Sequence, residues 1–82
     1  MATIGGVVYC YYRDARGAAA RALRASRISA TYHSAASLRG DARDHNPTPR
    51  YVFHGATEMQ VAKLLDVLAA DGAGTEVYTE KE

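Results

Sequence analysis

The chain has 82 residues, 48% of them hydrophobic, which is the size of one domain (residues 1–82) and too apolar for a disordered segment. Its net charge of +1 conceals a division: residues 1–50 hold eight arginines against three aspartates, and residues 51–82 hold two lysines against six acids. That balance excludes a dense acidic mimic of DNA, and the longest apolar run, six residues, falls far short of the ~20 that cross a bilayer.

In chain order, Val7, Val8, Tyr9, Cys10, Tyr11 and Tyr12 are β-branched or aromatic with one cysteine, the pattern of a central strand. Asp14 offers an N-cap for a helix over residues 15–27. At about 100° per residue, Ala18, Ala19, Ala22, Leu23, Ala25 and Ser26 share one side of it. Arg16, Arg21, Arg24 and Arg27 share the other. Residues 28–38 read as a second strand, polar on one side through Ser29, Thr31 and His33. The loop 39–49 carries Arg39 and Arg43 and ends in Asn46-Pro47-Thr48-Pro49, which blocks regular structure. Residues 50–54 make a third strand, broken by Gly55. Thr57 and Gln60 stand at capping-box spacing before a helix whose Val61, Leu64, Leu65 and Leu68 form one stripe. Asp71-Gly72 stops that helix, and residues 75–80 give a last strand.

This order, strand-helix-strand-strand-helix-strand, predicts an α+β, ferredoxin-like βαββαβ sandwich. Right-handed crossovers place both helices on one face of a four-stranded antiparallel sheet, with strands in the order 4-1-3-2. The core is thin. Sixteen of the hydrophobic residues are alanine and only thirteen are Val, Ile or Leu, so tyrosines and Phe53 must help fill it. Two side-chain arrangements remain open. If the helices cover Val8, Cys10 and Val52, then Tyr9, Tyr11, Tyr51 and Phe53 form an exposed aromatic patch. In the reversed arrangement those rings pack beneath the alanine-rich helix, large against small.

Val8-Tyr9-Cys10-Tyr11 on the first strand and Arg50-Tyr51-Val52-Phe53-His54 on the third give the chain its resemblance to an RNA-recognition motif. The first stands where that family has its short ribonucleoprotein motif, and the second where it has the long one. The resemblance implies single-stranded RNA binding, with Tyr9, Tyr51 and Phe53 stacking on bases. The chain departs from the pattern: Arg50 is followed at once by Tyr51 with no glycine, and His54 replaces an aliphatic residue. Glu76 and Glu80 on the last strand would repel phosphates if they share the open face.

The chemistry-bearing residues form no enzyme signature. No Gly-x-Ser-x-Gly turn or phosphate loop is present, and His33, His45, His54 and Cys10 lie on separate elements without metal-ligand spacing. No catalytic residue, metal or cofactor is expected. A lone Cys10 and the absence of a secretory leader fit a reducing cytoplasm. The four helix arginines have few acids nearby, and the planar guanidinium suits phosphate or carboxylate recognition. Candidate binding residues are therefore Arg16, Arg21, Arg24, Arg27, Arg39, Arg43 and Arg50 with Tyr9, Tyr11, Tyr51 and Phe53. Compactness, one domain and a thin core make the chain similar, in size and style, to the small phage anti-CRISPR inhibitors. That resemblance implies a non-enzymatic protein in the host bacterial cytoplasm, a monomer or weak homodimer. It would dock on a larger protein or ribonucleoprotein, a CRISPR effector complex, with direct nucleic-acid contact open and no membrane partner. The other classes are an RNA-binding domain and a homodimeric accessory subunit.

Overall fold

A computed structural model describes residues 2–35 and 47–82. Within these residues six elements follow in order: β1 (Ile4–Cys10), α1 (Arg13–Ala25), β2 (Ala30–His33), β3 (Arg50–Ala56), α2 (Glu58–Asp71) and β4 (Thr75–Lys81). All strand pairs are antiparallel and the sheet order is β2-β3-β1-β4. Both helices pack on one face, giving the expected ferredoxin-like α+β arrangement. No helix among the described residues is long and apolar enough to cross a membrane.

The boundaries differ from the sequence expectation in informative ways. β1 starts at Ile4, because Gly5 and Gly6 are carried inside the strand. β2 is only Ala30–His33: Ile28, Ser29, Ser34 and Ala35 fall outside the strand expected over 28–38, and residues 36–38, with most of the 39–49 loop, lie outside the described residues. β3 continues through Gly55, which takes a φ of +71° where the pairing with β1 shifts register. This irregularity spaces Phe53 and Ala56 three residues apart yet buries both, at 1% and 3% exposure.

Register decides which rings are buried. Val8 lies opposite Tyr51, and Gly6 opposite Phe53. Directly opposed residues of an antiparallel pair point to the same face, so Tyr51 and Phe53 join Val8 and Cys10 beneath the helices. The exposed patch of Tyr9, Tyr11, Tyr51 and Phe53 is therefore not formed, and Val52, not Phe53, faces outward. The physical reason is volume. The buried side of α1 is Ala15, Ala18, Ala19 and Ala22 with Leu23, and Phe53 shares the core cluster with most of them, a large ring beside small residues. Phe53 also lies across Gly6, whose missing side chain gives the ring its room: a Cβ there would stand 2.6 Å from Phe53 Cζ.

The helix ends follow local chemistry. Tyr12, not Asp14, is the N-cap of α1, and it makes no side-chain capping bond. Asp14 falls in the first turn, where a carboxylate suits the positive end of the helix. At the other end, Ile28 N–H donates to Leu23 O (2.9 Å) and Arg27 N–H to Arg24 O (3.1 Å), a Schellman closure. Leu23 and Ile28 are both buried beneath it. Arg27 occupies the left-handed position of this closure at φ +60°, a place that favours glycine. The capping box of α2 forms as expected: Gln60 N–H donates to Thr57 Oγ1 (3.1 Å) and Thr57 N–H to Gln60 Oε1 (2.8 Å). Val61, Leu64 and Leu68 are buried from this helix, whereas Leu65 is half exposed, at the edge of the stripe. The two helices are tied where Gln60 Nε2 donates to the Arg27 carbonyl at 2.9 Å.

Candidate interaction surfaces

Two surfaces of opposite character result. On the outer side of α1, Arg13, Arg16, Arg21 and Arg24 are exposed, and Arg27 continues them just past the helix end. Arg13 was not anticipated, because the helix begins two residues earlier than its expected start. Arg21 pairs with Asp71 at 3.2 Å, both side chains well exposed, a contact that contributes little in water. Arg16 places its guanidinium 4.6 Å from the centroid of the Tyr32 ring. Tyr32 in turn leans on Tyr51, centroids 4.8 Å apart. Tyr51 is thus a pillar beneath the arginine surface, and its hydroxyl is held above the usual tyrosine range chiefly by burial. Tyr32 escaped the sequence reading, although its place on the side of the strand opposite Thr31 and His33 marks it as inward-facing. Among the described residues, Arg13, Arg24 and Arg27 have no acidic partner within ion-pair distance.

The second surface is the open face of the sheet. Register places Val7 and Tyr9 there from β1, with Arg50, Val52 and His54 from β3, and Glu76, Tyr78 and Glu80 from β4. Tyr9 stands at its centre. Tyr78 meets it edge-on at 5.7 Å, Tyr11 stacks at 6.3 Å, and the Arg50 guanidinium lies 4.9 Å from its centroid. The Tyr11 hydroxyl donates to Glu76 Oε2 at 3.1 Å; lost hydration, then this carboxylate, keeps the proton on the phenol. Glu76 and Glu80 do share this face, as feared for phosphate binding. Of the eleven candidate residues, Arg16, Arg21, Arg24 and Arg27 come together on α1, and Tyr9, Tyr11 and Arg50 come together on the open face. Tyr51 and Phe53 turn inward, and Arg39 and Arg43 lie outside the described residues.

Among the described residues, the groups with reactive potential are kept apart. Cys10 is buried on the helix side of the sheet, its thiol pushed up by burial with Arg16 opposing, which keeps it neutral and unreactive. His33 and His54 belong to the other face. At the far end of that face, the Glu82 carboxylate accepts from Gly55 N–H (2.7 Å), contacts His54 Nδ1 (3.0 Å) and accepts from Thr3 Oγ1 (3.3 Å). These contacts, led by the Gly55 bond, hold its acid below the usual glutamate range. A carboxyl depressed in the folded state stabilises the fold above its ordinary pKa. That contribution is lost as pH falls through the ordinary value and then the lowered one. Glu82→Gln is therefore expected to leave a shallower acid limb in thermal melts taken from neutral pH downward. An unchanged limb would show that the carboxylate anchors nothing.

No protein-family model matches this chain, and neither a curated protein nor a solved structure does.

Proposed function

We propose that this chain is a non-enzymatic binding protein that docks on a larger complex through the outer surface of α1. The carrying observation is the arginine set itself: five guanidiniums on one side of one helix and its closure, of which Arg21 alone has an acidic partner among the described residues. A helix flank that merely faces solvent usually mixes signs along its length. The scatter of Cys10, His33 and His54 over both sides of the sheet supports the absence of catalysis. The most specific form of this reading is an inhibitor of anti-CRISPR type, which seats on an interference complex and blocks target-DNA binding or nuclease recruitment. Small size, a single sandwich and a concentrated docking surface support it.

The test is phage plating on bacteria with active CRISPR interference. Expression of the chain is expected to raise plating to the level of an interference-deficient host, and Arg24→Glu to remove that effect. Plating unchanged by the wild-type chain sinks the inhibitor reading. An RNA-recognition role through the open sheet is weakened by the inward turn of Tyr51 and Phe53 and by Glu76 and Glu80 beside Tyr9 and Tyr78.

A further inference from the structure

We infer that the arginine surface of α1 engages nucleic-acid phosphates, and that Arg27 is kept in a strained backbone position to extend that contact. The inference rests on α1 being the docking surface and adds the chemistry of what it meets.

Three observations carry it. The row from Arg13 to Arg27 covers fifteen residues, and its helical part alone, Arg13 to Arg24, rises about 16 Å. Between its arginines the exposed or half-exposed positions are Asp14, Gly17, Ala20 and Ala25, and among the described residues no large exposed apolar side chain lies within the helix, the nearest being its N-cap Tyr12. Protein–protein interfaces are anchored by aromatic and aliphatic side chains set in desolvated pockets, alongside arginine. From Arg16 onward, arginines separated by exposed Gly and Ala offer charge and close backbone approach with no such anchor between them, the composition of a phosphate-contacting surface.

Second, part of the row works against the free protein's own electrostatics, although Asp14 shares the first turn, Arg21 has Asp71, and Arg24 suits the negative end of the helix. Arg13 and Arg16 sit near the positive end of the helix, where cations are disfavoured. Arg13 with Arg16, and Arg21 with Arg24, are like-charged neighbours one turn apart. A polyanion laid along the row relieves both.

Third, Arg27 holds φ +60° at the left-handed position of the Schellman closure, where glycine carries no steric penalty. Its side chain makes no hydrogen bond or ion pair among the described residues; only its backbone carbonyl is used, by Gln60. Local structure thus gives no reason for arginine here. A charge that lengthens the row does.

The experiment is a fluorescence-anisotropy titration of the chain with a labelled DNA duplex, a single-stranded RNA and polyglutamate. Affinity for the nucleic acids is expected to fall on the order of 100-fold between about 50 and 200 mM salt, as for four neutralised phosphates. Arg27→Gly is expected to lower the salt slope by about 0.9, and to raise the thermal midpoint by roughly 4–8 °C. Opposite signs in binding and stability are the signature. A preference for duplex or single strand identifies the source of the phosphates; either supports the inference. Polyglutamate binding as tightly as nucleic acid, no binding at the lowest salt, or an unchanged slope in Arg27→Gly overturns it. Because these readouts use purified chain alone, a negative plating result leaves them intact, and the reverse also holds.

Discussion

Phe53→Ala is expected to unfold a large fraction of the protein, not simply to weaken a binding surface. Phe53 is 1% exposed and is the largest fully buried side chain among the described residues. Truncating a buried phenylalanine costs about 3–5 kcal/mol, against a total stability of roughly 5–15 kcal/mol for a domain. Much of the cluster that holds Phe53 is alanine (Ala15, Ala19, Ala22, Ala56), which has no side-chain reach to refill the space. Urea denaturation followed by circular dichroism reads the loss directly, and Phe53→Leu should recover about half of it. A Phe53→Ala protein that melts like the parent would place the ring outside the core and return it to the list of stacking residues.

Gly6→Ala is expected to be nearly as damaging for one added methyl. A Cβ at this position would stand 2.6 Å from Phe53 Cζ and 2.7 Å from the carbonyl oxygen of Tyr78. The ring can tilt, but the carbonyl belongs to β4, paired to β1 along its whole length, so relief requires moving a strand. Overpacking of this kind costs about 1–3 kcal/mol, and the backbone contact places Gly6→Ala toward the upper end. The two substitutions share one clash, so their effects should not add. Combining Gly6→Ala with Phe53→Leu is expected to show a favourable coupling of about 0.5–3 kcal/mol in a double-mutant cycle. Strict additivity would mean that the Tyr78 carbonyl alone sets the cost.

The same pair of residues shows where sequence reading stopped. Element order, strand order and the start of α2 were legible, because each rests on a local signal: the run from Val7 to Tyr12, the Thr57–Gln60 box, the Asp71-Gly72 stop. The sidedness of the sheet was not. Whether Val8 faces Tyr51 or Val52 depends on the parity of the register between β1 and β3, and a slip of one residue exchanges the faces. No residue in either strand announces that parity. Volume did carry a hint, since a chain with thirteen branched aliphatic residues cannot leave Phe53 in water. The arginine surface was legible for a different reason: helical periodicity sorts side chains by angle without reference to any partner strand. Its full extent was missed by one residue, Arg13, because Asp14 looked like a cap and turned out to lie inside the first turn.

The contact chain from Arg16 to Tyr32 to Tyr51 suggests an optical readout. The chain contains no tryptophan, so its ultraviolet emission comes from six tyrosines. Tyr32 carries the Arg16 guanidinium 4.6 Å from its ring centroid, so an anion that drew Arg16 away would alter that chromophore's surroundings. If α1 binds an anion as proposed, a change in tyrosine emission on titration is the expected label-free signal.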